Sequence, residues 1–75
     1  MKSYMPFLEY LSEKGLWLDW NDEDQEYNVV GSRRTRSGMY ANEIIVTLPP
    51  RTVRHDFNEA VEIVSTSLEL FNFFG

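Results

Sequence analysis

The chain has 75 residues and a mass of 8.9 kDa, which suits a single domain over 1–75 and leaves no room for a second. Its 7 Lys+Arg against 12 Asp+Glu give a net charge of −5, and 43% hydrophobic residues are too many for a disordered tail. It has no cysteine, which excludes disulfides and thiol chemistry, and no apolar run near the ~20 residues of a membrane span.

The first predicted element is a helix from Tyr4 to Lys14. Tyr4, Phe7, Leu8 and Leu11 fall at i, i+3, i+4 and i+7, one face of a 3.6-residue period. Ser3 is placed to cap it, Pro6 is tolerated in its first turn, and Gly15 ends it. The period then drops to two. Leu16, Leu18 and Trp20 alternate with Trp17 and Asp19, which predicts a short strand. Asn21–Glu26 is polar and acidic and reads as a hairpin loop. Tyr27–Arg34 is a second strand, with Gly31 placed for a bulge, and Thr35–Gly38 is a second turn. Ala41–Leu48 is the third strand, with Ile44, Val46 and Leu48 expected to share one face. Pro49-Pro50 cannot continue a ladder.

The last predicted element is a helix from Asp56 to Phe73. Asp56 is placed as N-cap, with Glu59 positioned for a capping box. Phe57, Ala60, Val61, Val64, Leu68 and Phe71 form one apolar stripe, and Ile63, Leu70 and Phe74 a second beside it. The predicted fold is therefore α+β, a small α-β-β-β-α domain. It has a three-stranded antiparallel meander with two helices packed on one face. Phe7, Leu11, Leu18, Ile44, Val46, Val61, Val64 and Leu68 are the expected core, and Trp17 on the other sheet face, or Trp20 near the loop, is expected to be partly exposed.

Chemistry has few candidates. His55 is the one histidine, and its neighbour Asp56 points elsewhere on a helix, so no catalytic constellation is legible. Asp22, Asp24 and Glu26 alternate like the start of a calcium loop. Tyr27 and Arg33, however, stand where such a loop needs Gly and Glu. The glycines are scattered, so there is no phosphate loop. The expectation is a protein without enzymatic activity, cofactor or metal.

The charges fall in blocks. Residues 9–26 hold seven acids and one Lys, whereas residues 33–55 hold five Arg and one acid, Glu43. Guanidinium groups suit phosphate and carboxylate recognition, so Arg33, Arg34, Arg36, Arg51 and Arg54 form the alternative, nucleic-acid-binding set. The element order resembles the double-stranded-RNA-binding domain over nearly the whole chain. That resemblance implies a fold and an RNA-binding role for the first helix, the first loop and the start of the last helix. Here the loop Asn21-Asp22-Glu23-Asp24-Gln25-Glu26 repels phosphate. Arg51, Arg54 and His55 stand in place of a lysine-rich motif, so no RNA-binding residue is carried over.

At −5 the chain meets a long-range repulsion from nucleic acid, and its aromatics and arginines are residue types that dominate protein interfaces. The leading expectation is a small acidic protein-binding module that modulates or inhibits a larger cytosolic partner. Its sharper form is a phage or mobile-element inhibitor whose carboxylates mimic nucleic-acid charge in a DNA- or RNA-binding enzyme. The expected protein-binding residues are Asp19, Asp22, Glu23, Asp24, Glu26, Trp17, Trp20, Phe73 and Phe74. The wide apolar arc of the last helix also suggests a homodimer. The absence of cysteine and of a signal pattern points to the cytoplasm, with no membrane contact.

Overall fold

The computed structural model of the protein describes residues 5–71. Helix α1 spans Met5–Glu13, and strands β1 (Leu16–Asn21), β2 (Glu26–Arg34) and β3 (Tyr40–Leu48) follow as a meander. Helices α2 (Pro50–His55) and α3 (Phe57–Phe71) complete the chain order α-β-β-β-α-α. The sheet order is β1-β2-β3, antiparallel throughout. Ser3, Tyr4, Phe73 and Phe74 lie outside the described residues, as does the side chain of Phe71.

The local causes are visible at each boundary. The last turn of α1 tightens, with the Lys14 amide donating to Leu11 O and the Gly15 amide to Ser12 O, both at 3.0 Å. Gly15 then takes φ of 74°, a left-handed conformation that side chains disfavour. The chain re-enters as β1 at Leu16. At the far end of β1, Asn21 Oδ1 accepts from the amides of Glu23 (3.1 Å) and Asp24 (3.3 Å). This Asx turn, followed by Gln25 at φ of 56°, reverses the chain in four residues. The second turn is closed by the Thr35 amide on Met39 O at 2.7 Å, and Gly38 supplies its φ of 86°.

Two features depart from the sequence reading. First, the β2–β3 register runs Val29↔Val46 and then Val30↔Ile44, so Ile45 is an extra residue, a β-bulge. A bulge inverts the alternation beyond it. Ile44, expected in the core, is 56% exposed, and Ile45 is buried at 3%. Val46, on the near side of the bulge, is half-buried against the core. The bulge sits on β3, not at Gly31.

Second, a further helix precedes the last one. Pro49-Pro50 ends β3 and also starts α2, because Pro50 occupies the first turn, where a fixed φ is preorganised and no amide is needed. Asp56 separates the two helices with φ of −134° and ψ of 76°. Its amide closes α2 on Thr52 O at 3.1 Å, while its carboxylate caps α3 through the Glu59 amide at 3.1 Å. The Asp56 amide is thus already taken, so the N-cap forms without a reciprocal Glu59 partner.

All three helices contribute to one core on one face of the sheet. It joins Phe7 and Leu11 of α1, Leu16 of β1, Val29 of β2, and Ile45 and Leu48 of β3. Val53 of α2 and Ala60, Val64 and Leu68 of α3 complete it. Leu18, Val61 and Ile63 pack against it half-buried. Tyr10 and Ser65 share a 2.8 Å hydroxyl hydrogen bond that pins α1 to α3. Phe57, expected on the buried stripe, is exposed: it is the first residue of α3, and the helix reaches the core only from Ala60. Leu70 of the second stripe is exposed as well.

Candidate interaction surface

Residues paired across strands share a face of the sheet. The helix-covered face carries Leu16, Leu18 and Trp20 of β1, Tyr27 and Val29 of β2, and Val46 and Leu48 of β3. Among the described residues no helix packs on the opposite face. An antiparallel sheet usually turns polar residues to water on such a face. Here Trp17, Val30 and Ile44 form an apolar row across all three strands. Val30 is only 7% exposed, flanked by Trp17 at 40% and Ile44 at 56%.

On one side of that row the bare face carries Asp19, Asn28 and Thr47, then Asn21 and Glu26. Thr47 Oγ1 donates to Asn28 Oδ1 at 2.9 Å, which satisfies the buried amide oxygen. On the other side it carries Ser32 and Asn42, then Arg34 and Tyr40. β1 ends its pairing at Gly31, so Ser32–Arg34 and Tyr40–Asn42 project as a two-stranded ribbon beyond it. Met39 and Tyr40 are strongly exposed at its tip.

The charges therefore separate along the strands. Asp19, Asp22, Glu23, Asp24 and Glu26 all lie on the β1–β2 hairpin, at one end of the sheet. The loop is held by its own side chains: Asn21 Nδ2 donates to Asp24 Oδ2 at 3.2 Å, and Gln25 Nε2 to Asp22 O at 2.7 Å. Arg33, Arg34 and Arg36 lie at the other end. Arg33 Nη1 approaches Glu43 Oε2 at 3.6 Å, a distance too long for a hydrogen bond. That oxygen is buried and accepts no hydrogen bond from the described residues.

The five arginines are not one patch. Arg54 Nη2 donates to the Tyr27 hydroxyl at 3.3 Å, which fixes α2, with Arg51, at the acidic end of the sheet. Trp20 packs edge-on against Tyr27 at a ring separation of 4.9 Å, on the helix-covered face beside the acidic loop. It is exposed but does not share a face with Trp17. His55 is exposed in the last turn of α2. Among the described residues no cluster of His, Asp and Glu is placed to hold a metal ion, and no helix is long and apolar enough to cross a membrane. A shallow depression of about 360 Å³ along α3 is lined by Glu59, Glu62, Ile63, Thr66 and Ser67.

Sequence reasoning placed Tyr40 beside the arginines of a surface patch but missed Ile44 and Met39 as surface groups. The signal for Met39 was present, because it flanks a turn beside arginines. The signal for Ile44 was not, because its facing depends on the bulge. No family model matches the chain, and neither the curated proteins nor the solved structures provide a match.

Proposed function

We propose that this chain is a non-enzymatic protein-binding module whose docking surface is the bare face of its sheet, and that it modulates a larger partner. The carrying observation is the Trp17–Val30–Ile44 row on a face that no described helix covers and whose other residues are mostly polar. Large apolar groups gathered on an exposed face are retained where a partner covers them. Trp, Tyr and Arg, the three residue types richest in interface energy, all occur on that one face as Trp17, Tyr40 and Arg34. The flanking charges supply orientation and encounter rate more than affinity.

The test is capture of partners from the native host's lysate by wild type and by Ile44→Glu, each with and without nuclease. Nuclease-resistant protein capture that disappears in Ile44→Glu supports the reading. Capture unchanged by the substitution overturns it. An inhibitor that offers its carboxylates in place of phosphates is the finer version. It rests on the five acids at one hairpin end, and it requires capture to weaken when Asp22, Glu23, Asp24 and Glu26 are neutralised together.

One observation favours a second reading, nucleic-acid binding by the arginine ribbon. Glu26 and Arg34 are eight residues apart on β2, about 26 Å along a strand, whereas salt screens over about 8 Å. The acidic end therefore does little to repel a phosphate at the ribbon. With only Arg33, Arg34 and Arg36 there, and Arg33 beside Glu43, the binding would be weak. A nuclease-sensitive capture abolished by replacing Arg34 and Arg36 would select this reading.

A further inference from the structure

We propose that, in the absence of its larger partner, the bare face closes on a second copy of this chain in an antiparallel two-fold dimer. The inference rests on the protein-binding reading of that face and names its resident occupant. Its basis is a symmetry in how the face is laid out. Val30 lies at the middle of β2, with Glu26 four residues before it and Arg34 four residues after. All three point to the bare face, because residues of even separation on a strand share a side. At about 6.6 Å per two residues, the carboxylate position and the guanidinium position are each about 13 Å from the apolar row.

A two-fold axis through Val30 and running across the strands therefore does three things at once. It stacks the Trp17–Val30–Ile44 row on its own copy. It sets Glu26 of each chain over Arg34 of the other. It brings the acidic loop of each chain over the turn that carries Arg36 in the other. A C2 interface must be self-complementary, and a face with an apolar centre and opposite charges at equal distances satisfies that condition. The other two-fold in the plane of the face, along the strands, would stack acids on acids. Face-to-face sheets of this kind pack about 10 Å apart, which buries large side chains such as Trp17 and Ile44 between them.

The experiment is sedimentation of the full chain across concentration and salt. Wild type is expected to form a dimer that weakens as salt rises. Ile44→Glu, at an exposed position, is expected to keep the fold while weakening the dimer by tenfold or more, roughly the cost of an interface anchor. Two charge variants then test the register. Glu23→Lys/Glu26→Lys sets a cation opposite Arg34 of the other copy, and Arg34→Glu/Arg36→Glu sets a carboxylate opposite its Glu26. Each alone is expected to lose at least about tenfold in self-association, while an equimolar mixture recovers to within about threefold of wild type. A wild type that stays monomeric at its solubility limit overturns the dimer, and the partner-capture experiment still decides the binding module. A dimer indifferent to Ile44→Glu overturns the face, as pairing through the free edge of β3 would. A dimer lost in Ile44→Glu but with no rescue in the mixture overturns the antiparallel register.

Discussion

The two faces of this sheet are made by the same three strands, yet they follow different rules. The helix-covered face buries Leu16, Val29, Ile45 and Leu48 against three helices and is closed. The bare face holds Trp17 and Ile44 half in water around a nearly buried Val30. Residue type does not separate Val29 from Val30 or Ile45 from Ile44, because each face takes one Val of β2 and one Ile of β3. What separates them is cover. The lesson is that an apolar residue in a strand specifies a sheet, and only the packing of helices decides which side becomes core.

The largest expected effect breaks the covered face. Phe7 is 1% exposed and Leu68 6%, so Phe7→Ala should cost about 3–5 kcal/mol and Leu68→Ala about 2–5 kcal/mol in urea unfolding. For so small a domain either cost is a large share of total stability. An unchanged denaturation midpoint for Leu68→Ala would show that α3 faces elsewhere.

The sharpest contrast lies between two neighbours in sequence. Ile45→Ala is expected to destabilise by about 2–4 kcal/mol, and Ile44→Ala by less than about 1 kcal/mol, because only Ile45 leaves a cavity. Equal losses would mean that the bulge is absent and the two faces are exchanged on β3. Next in size, Asp56→Ala removes the cap of α3 and should cost about 0.5–2 kcal/mol, with Asp56→Ser restoring most of it. Thermal melts of the pair would reveal a cap that contributes nothing.

The smallest effect concerns the exposed acids. Replacing Asp22, Glu23, Asp24 and Glu26 by their amides relieves repulsion among like charges on one hairpin. It should leave stability within about 0.5 kcal/mol of wild type, since exposed charges are well screened. A loss above that range in low salt would show that the carboxylate charges of Asp24 and Asp22 strengthen the hydrogen bonds they accept from Asn21 and Gln25.

Much of the architecture was legible in the residues themselves. The i, i+3, i+4, i+7 spacing of Tyr4 to Leu11 and the alternation from Leu16 to Trp20 fixed α1 and β1. Gly15, Pro49 and Asp56 stand where the elements change, and each does so by a local cause that needs no neighbour in space. The separation of acids from Arg33, Arg34 and Arg36 was also readable, because a meander sends successive turns to opposite ends of the sheet. α2 was not legible. Its six residues carry no period long enough to detect, and it folds where Val53 and Thr52 can be buried against the rest.

The sequence by itself determined the kind of each long element, their order and the charge each end carries, because these depend on neighbours within about four residues. Only the tertiary structure decided which residues of β3 beyond the bulge meet water. One unpaired residue, Ile45, inverts half of β3 and moves Ile44 from the expected core to the bare face beside Trp17. Nothing in Ala41–Leu48 announces that inversion, because both isoleucines fit either side. The choice belongs to the helices, which have room beneath the sheet for Ile45 and leave Ile44 outside.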